Sequence, residues 1–185
     1  IRRVISQASQ LVIFGTLTVE FWDVIASDFP FSQVGSSTLE MGVFAPFSAV
    51  KTSAGTFLLA RLNTGQARVV LQQGFQAQPI STQDLDTLIN AYDTITDATG
   101  LSYVYQGHLF YQLNFQSANK SWLYDLSTQL WSEKAYGLDE QRDRAECFIR
   151  LSNNTYLTDF QTGKIYLQDA DAYTDNGTSI ARELI

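Results

Sequence analysis

The chain is poor in the residues that most often carry chemistry. Its 185 residues include one cysteine, Cys147, one histidine, His108, and one methionine, Met41. A lone cysteine forms no internal disulfide, so a disulfide-stapled secreted scaffold is excluded and a reducing compartment is the simpler expectation. One histidine rules out a multi-histidine metal site, and any Ser-His-Asp arrangement would have to use His108. No serine stands in a G-x-S-x-G elbow. There is no phosphate loop and no dinucleotide fingerprint, since "GTSIAR" lacks the glycines. Charge is also scarce. Residues are 17% charged and 45% hydrophobic, the balance of a folded domain rather than of disorder. No apolar run approaches the ~20 residues of a membrane-spanning helix. The opening "IRRVISQASQ" has no initiator Met, basic n-region or apolar h-region, and reads as the interior of a longer protein. The twelve basic residues are scattered and the formal charge is −7. Phosphate binding relies on clustered lysines and arginines, so this balance argues against sequence-specific nucleic-acid binding. The acidic surplus fits solubility or self-avoidance.

What the sequence does contain is alternation. Apolar residues recur with period two along most of the chain, the signature of half-buried strands. "QLVIFG" runs into "TLTVEFWDVI" as a hairpin over residues 10–25. "TFLLARL", the turn "NTGQ" and "ARVVLQQ" make a second over 56–73, followed by a strand in "FQAQPI" that Pro79 ends. "HLFYQLNF" places Leu109, Tyr111, Leu113 and Phe115 on one face. "SWLYDL" and "LWSEKAY" follow, then "AECFIRL", "TYLTDF" and "KIYLQD". In "RAECFIRL", alternation groups Ala145, Cys147, Ile149 and Leu151, which predicts Cys147 as a small buried residue. One helix interrupts the strands. "STQDLDTLINAYDTI" spaces Leu85, Leu88, Ile89 and Tyr92 at i, i+3, i+4 and i+7, with Ser81 and Asp84 as a candidate capping box. It is expected on the outside of a sheet.

"WLYDLSTQLW" and "YLTDFQTGKI" match at a spacing of 34 residues: Trp122 with Tyr156, Asp125 with Asp159, Thr128 with Thr162 and Gln129 with Gly163. A turn geometry that recurs along a chain marks a structural unit. Both segments are read as hairpins of successive sheets, with the aspartates capping turn N–H groups. Units of roughly 40 to 45 residues suit a four-stranded propeller blade. A β-sandwich has a similar spread of strands, and periodicity leaves the two open. The fold class expected is all-β and β-propeller-like: an incomplete propeller of about three to four antiparallel blades with one short inserted helix. It is taken as a single domain over 1–185, a fragment of a longer chain.

Candidate sites are few. "DADAYTDNG" offers Asp169, Asp171 and Asp175 as oxygen donors. However, Tyr173 and Thr174 stand at the fifth and sixth loop positions, where a calcium loop needs an acceptor and a glycine, so a solvated turn is expected. "GLDEQRDRAE" reads as a solvated charged loop, and the adjacent Asp139 and Glu140 have no geometry for an acid/base pair. Asn119, Asn153 and Asn176 head Asn-x-Ser/Thr triplets, which are common in turns by chance. The irregular stretch 27–50 carries Phe29, Phe31, Phe44 and Phe47 with two prolines, and either plugs the core or contacts a partner. No catalytic, cofactor-binding or metal-ligating residue is assigned, and no cofactor is expected.

"LVIFGTLTVEFWDVI", "LEMGVFAPFSAVKTSAGTFLLARLNTGQARVVLQQGFQAQPIST", the helix after it, "SANKSWLYDLSTQLWSEKAY" and "TDFQTGKIYLQD" resemble, in that order, the phage stabilisation family. These are the packaged-DNA stabilisation, or tail accessory, proteins of short-tailed phages of Salmonella type. The resemblance covers nearly the whole chain and rests on strands and turns. It implies a non-enzymatic, β-propeller-like virion protein, made in the bacterial cytoplasm. Its place would be a homo-oligomeric ring of the phage tail, below the portal and adaptor proteins and seating the tail needle. There it would help keep packaged DNA inside, and no membrane contact is implied. The competing expectation from the residues alone is a propeller-type carbohydrate-binding or hydrolytic module, with Trp122, Tyr124 and Trp131 as stacking platforms. The two differ in where those aromatics point relative to Asp125.

Overall fold

The computed structural model of the chain describes residues 1–179 except Ala8, Ser36, Leu138, Asp139, Ala170 and Asn176, and describes Asp175, Thr178 and Ser179 by their backbone only. Asp139, the Asn176 triplet and the side chain of Asp175 therefore lie outside the described residues. The chain divides into two compact units, Ile1–Gly100 and Leu101–Ile185.

The first unit holds two antiparallel sheets. Strands β1 (Arg3–Gln7), β2 (Gln10–Phe14), β3 (Val19–Val24) and β4 (Phe31–Gln33) form a meander paired in chain order. The 10–25 hairpin is β2 on β3, with Val12 opposite Phe21. The second sheet has β5 (Gly42–Val43), β6 (Val50–Thr52), β7 (Gly55–Arg61), β8 (Ala67–Gln73) and β9 (Gln76–Pro79). Its order is β5-β7-β8-β9, with β6 also on β7. Ile5, Val12, Phe14 and Phe21 of the first sheet bury against Leu58, Ala60 and Val70 of the second. Phe57 and Leu59, on the opposite side of β7, are buried too, so β7 runs through the core rather than along its edge. Gly42 lies so close to the turn before β3 that a Cβ there would come 2.0 Å from the Thr16 carbonyl oxygen.

Helix α1 (Gln83–Asn90) packs on β8. Its cap differs from the sequence expectation by one residue. Thr82, not Ser81, is the N-cap, its hydroxyl accepting from the Leu85 N–H at 3.3 Å. Ser81 instead accepts the Val69 N–H and donates to Asp86 at 2.5 Å. Asp86 in turn holds Arg68 of β8 at 2.7 Å. Asn90 clasps both backbone groups of Ala67, at 2.8 and 2.9 Å. The helix thus completes hydrogen bonds that a further strand would have made. Leu85 and Ile89 are buried, but Leu88 is exposed: the helix packs through a polar clasp beside a narrow apolar stripe.

The second unit has a four-stranded meander of β10 (Thr99–Tyr105), β11 (His108–Phe115), β12 (Lys120–Asp125) and β13 (Leu130–Glu133). A small hairpin follows, β14 (Ala135–Tyr136) with β15 (Gln141–Arg142). Next comes a three-stranded sheet of β16 (Ala145–Leu151), β17 (Asn154–Asp159) and β18 (Ile165–Leu167). A last pair is β19 (Thr174–Asp175) with β20 (Thr178–Ser179). Both faces of β11 are buried: Tyr111, Leu113 and Phe115 on one side, Gln112 and Asn114 on the other.

Two expectations fail in this unit. Cys147 is exposed rather than buried. The register slips between Ala145 and Cys147, which face Asp159 and Thr158, so Glu146 is an extra residue. A bulge of one residue inverts the alternation, and Ala145 goes inward while Cys147, Ile149 and Leu151 go outward. The segment read as a solvated charged loop instead contributes a hairpin and buries Arg142, whose guanidinium lies 3.5 Å from the Phe160 ring centroid.

Candidate interaction surfaces and polar network

The repeated turn takes the same form twice. Asp125 accepts the Ser127 N–H at 2.8 Å and the Thr128 hydroxyl at 3.1 Å. Asp159 accepts the N–H groups of Gln161 and Thr162 at 2.6 and 3.0 Å and the Thr162 hydroxyl at 2.8 Å. Each turn closes through one left-handed residue, Gln129 at φ 59° and Gly163 at φ 68°. Their N–H groups donate back to the carbonyls of Asp125 and Asp159, at 2.8 and 2.9 Å. Desolvation pushes both carboxyls up, but the donors around them prevail. Asp125 is held below the ordinary carboxylate range by His108, Ser127 and Thr128. Asp159 is held there by Thr162, Gln161 and Arg144.

His108 is drawn into the first turn, its Nδ1 2.7 Å from Asp125 Oδ2. Nucleophilic catalysis would need a hydroxyl at the other ring nitrogen. The Thr128 hydroxyl near this pair donates to the carboxylate instead. Thr128 and the histidine therefore share one acceptor, an arrangement that fastens the β10–β11 turn to the β12–β13 turn.

Between these sheets runs a buried polar network. Gln112 donates to Asn114 at 2.9 Å and to Asp143 at 3.0 Å. Asn114 donates to the Ala145 carbonyl at 2.9 Å and accepts from Ser121 at 2.7 Å. Ser121 accepts the Asp143 N–H at 3.0 Å. Lys134 completes the ring, 3.2 Å from both Gln112 Oε1 and Asp143 Oδ2. Each of these polar groups is answered by another, and Lys134 and Asp143 also line a concavity with Tyr136, Arg144 and Gln168. Neither the composition nor the alternation of "HLFYQLNF" signals this, because Gln112 and Asn114 read there as solvent-facing.

The proposed stacking platform does not gather around Asp125. Tyr124 lies opposite Tyr111 and Trp131, and Trp122 opposite Leu113, all on one face of β11–β13. Asp125 is on the other face. Tyr124 is buried, its ring 5.0 Å from that of Trp131. The aromatic stretch 27–50 is not one loop either, since it contains β4, β5 and a 3₁₀ turn at Pro46–Ser48. Phe29 and Phe31 meet edge-on at 6.0 Å, with Phe29 64% exposed. Phe44 lies under Arg61 and Phe47 under Arg3, and Phe47 is 67% exposed. Phe47, Arg3 and Lys51 line an open concavity. Asp169 caps the Asp171 N–H at 3.0 Å, and no His, Cys, Asp and Glu cluster among the described residues has the spacing of a metal site.

Residues 1–173 match the family model described as "Bacteriophage P22 Gp10, beta-propeller". The chain belongs to this phage stabilisation family. Membership settles the choice that periodicity left open: the serial antiparallel meanders are propeller-type sheets, and the all-β, propeller-like expectation holds. As a member, the chain is a structural component of the phage particle. No curated protein matches it. No helix among the described residues is long and apolar enough to cross a membrane.

Proposed function

We propose that the chain is a tail accessory, head-completion protein of a short-tailed phage, with a scaffolding and non-catalytic role. It helps close the portal channel over packaged DNA and links the portal and adaptor to the tail needle, acting as a homo-oligomeric ring. The observation that supports this reading is the use made of polar groups. Gln112, Asn114, Ser121, Lys134 and Asp143 bind one another, and both turn aspartates bind turn donors. A scaffold that withstands internal pressure needs such rigidity. A carbohydrate site would need Trp122, Tyr124 and Trp131 converging with a carboxylate, and Tyr124 is buried on the face away from Asp125. The exposed Phe29 and Phe47, with Phe31 against Phe29 and the half-buried Phe44 on the same stretch, are the side chains offered to portal, adaptor or needle. The charge of −7 suits a channel wall past which DNA slides without being gripped.

The test uses phage particles made without the protein. They should fill with DNA and then lose it, and added protein should restore retention. Stable retention in its absence overturns the proposal. A second measurement follows DNA ejection in particles whose lumen-facing acidic loops are reversed in charge. Ejection should slow, and unchanged kinetics would remove the sliding-wall part of the reading.

A further inference from the structure

Two features of the first unit complement each other and lie at opposite ends of the β1–β4 meander. The first is a concavity of about 370 Å³ lined by Arg3 and Val4 of β1 with Phe47 and Lys51. Val4 and Phe47 are exposed, so part of its lining is apolar. No acidic residue lines it, and among the described residues no carboxylate pairs with Arg3 or Lys51. Elsewhere Arg68, Lys120, Lys134, Arg142 and Arg144 each hold a carboxylate. Acids are in surplus in a chain of charge −7, yet none reaches these two cations. The second feature is the tip between β3 and β4. Asp28 is exposed there, with no hydrogen-bond or ion-pair partner among the described residues. Phe29 beside it is exposed as well. The tip is held by its own hydrogen bonds, from the Ile25 N–H to the Pro30 carbonyl and from the Ser27 hydroxyl to the Phe29 carbonyl. It is therefore already shaped before it meets a partner.

We infer that the Asp28–Phe29 tip of one copy seats in the Arg3–Lys51 concavity of the next, as the anchor of a head-to-tail contact. Three observations select a second copy. The charges are complementary, because Asp28 is an unpaired carboxylate and Arg3 and Lys51 are unpaired cations whose N–H groups can donate to it. The apolar parts match as well: with Asp28 between the cations, Phe29 lies against the exposed Phe47. Finally, the two features cannot meet within one copy. Arg3 shares a row of the meander with Phe14 and Val19, whereas Gln7, Gln10 and Asp23 form the row next to the tip. About 13 Å of strand and the width of the sheet separate them. A tip and a concavity are different surfaces, so the contact is heterologous and repeats from copy to copy, as a ring requires. The inference rests on the ring reading. The other occupants which that reading allows for these side chains, portal, adaptor or needle, become outcomes of the test.

Sedimentation of the full-length protein at high concentration tests the contact. The wild type should assemble beyond the monomer. Asp28→Lys should stay monomeric, and so should the Arg3→Glu, Lys51→Glu double variant. An equimolar mixture of the two should assemble again, because each tip then meets a concavity of opposite charge. Misfolded variants would not rescue one another, so the mixture separates loss of the contact from loss of fold. A monomeric wild type overturns the inference. Assembly that survives Asp28→Lys overturns it too, since the concavity then takes another occupant, and so does a mixture that stays monomeric. DNA retention reports on the tail reading separately. Particles that keep their DNA without the protein would remove that reading, while sedimentation still decides the contact.

Discussion

The sheets β10–β13 and β16–β18 share a turn, a capping aspartate and a left-handed closing residue, yet strand β11 of the first is buried on both faces while β16 of the second presents an apolar face outward. Local rules govern the turn. In both turns the aspartate accepts at least one N–H of its own turn and the hydroxyl of the threonine three residues on. Burial is not local. Leu113 and Ile149 occupy matching positions with similar side chains, and their exposures lie at opposite ends of the range. Equivalence in sequence is therefore equivalence of hairpin, not of environment.

The sharpest way to break this comparison is to truncate its two matching residues. Leu113→Ala should cost about 2–5 kcal/mol, the range for opening a cavity in a packed core. Ile149→Ala should stay within about 0.5 kcal/mol as an exposed substitution. Urea denaturation of both variants checks this, and equal losses would show that the outer face is covered in the monomer. Next in size is the polar network centred on β11 that reaches across to Asp143 and Ala145. Asn114→Leu leaves the Ser121 hydroxyl and the Ala145 carbonyl without their partner, and should cost about 1–3 kcal/mol. The Ser121→Ala, Asn114→Leu double variant should lose less than the sum of the singles.

The turns respond to pH in the same sense. Asp125 and Asp159 both have folded pKa values below their unfolded ones, so the unfolded chain binds more protons as acid is added. The stability they contribute is present above the unfolded value of about 3.9 and is lost as pH falls through the folded values. Denaturation midpoints across that window should fall with pH. Asp159→Asn should flatten the slope more than Asp125→Asn, because Asp159 is the more deeply buried and accepts an extra backbone N–H. The smallest effect comes from exchanging the closing residues. Gly163→Gln places a side chain at positive φ with open space around its Cβ, so only backbone strain changes, and it should cost about 1 kcal/mol. Gln129→Gly relieves the same strain but adds freedom to the unfolded chain, so it should gain a few tenths of a kcal/mol at most. Thermal melts of the two variants should move in opposite directions.

Much of the architecture was legible in the residues. The hairpins of 10–25 and 56–73, the strand ended by Pro79, the helix after it and the 34-residue repeat are set by alternation, turn chemistry and period. These act over a few neighbours and leave a trace in the order of side chains. Where reading failed, a single residue shifted the frame or a distant partner changed its meaning. Glu146 as a bulge reversed the facing of Cys147, Ile149 and Leu151, and nothing in "AECFIRL" announces a bulge. Ser81 was drawn from helix capping to the backbone of Val69 on β8, and it donates to Asp86 inside the helix rather than accepting from the helix's first N–H groups. Gln112 and Asn114 read as solvent-facing because their partners, Asp143 and Ala145, stand 31 residues away.

By itself the sequence determined that this protein is a series of antiparallel hairpins with Asp-capped turns, since period and turn residues act through the chain's nearest neighbours. Only the tertiary structure decided which faces are core, which polar residues bind one another and which apolar face stays open. Burial depends on what another segment brings to a surface, and no local pattern of side chains encodes that.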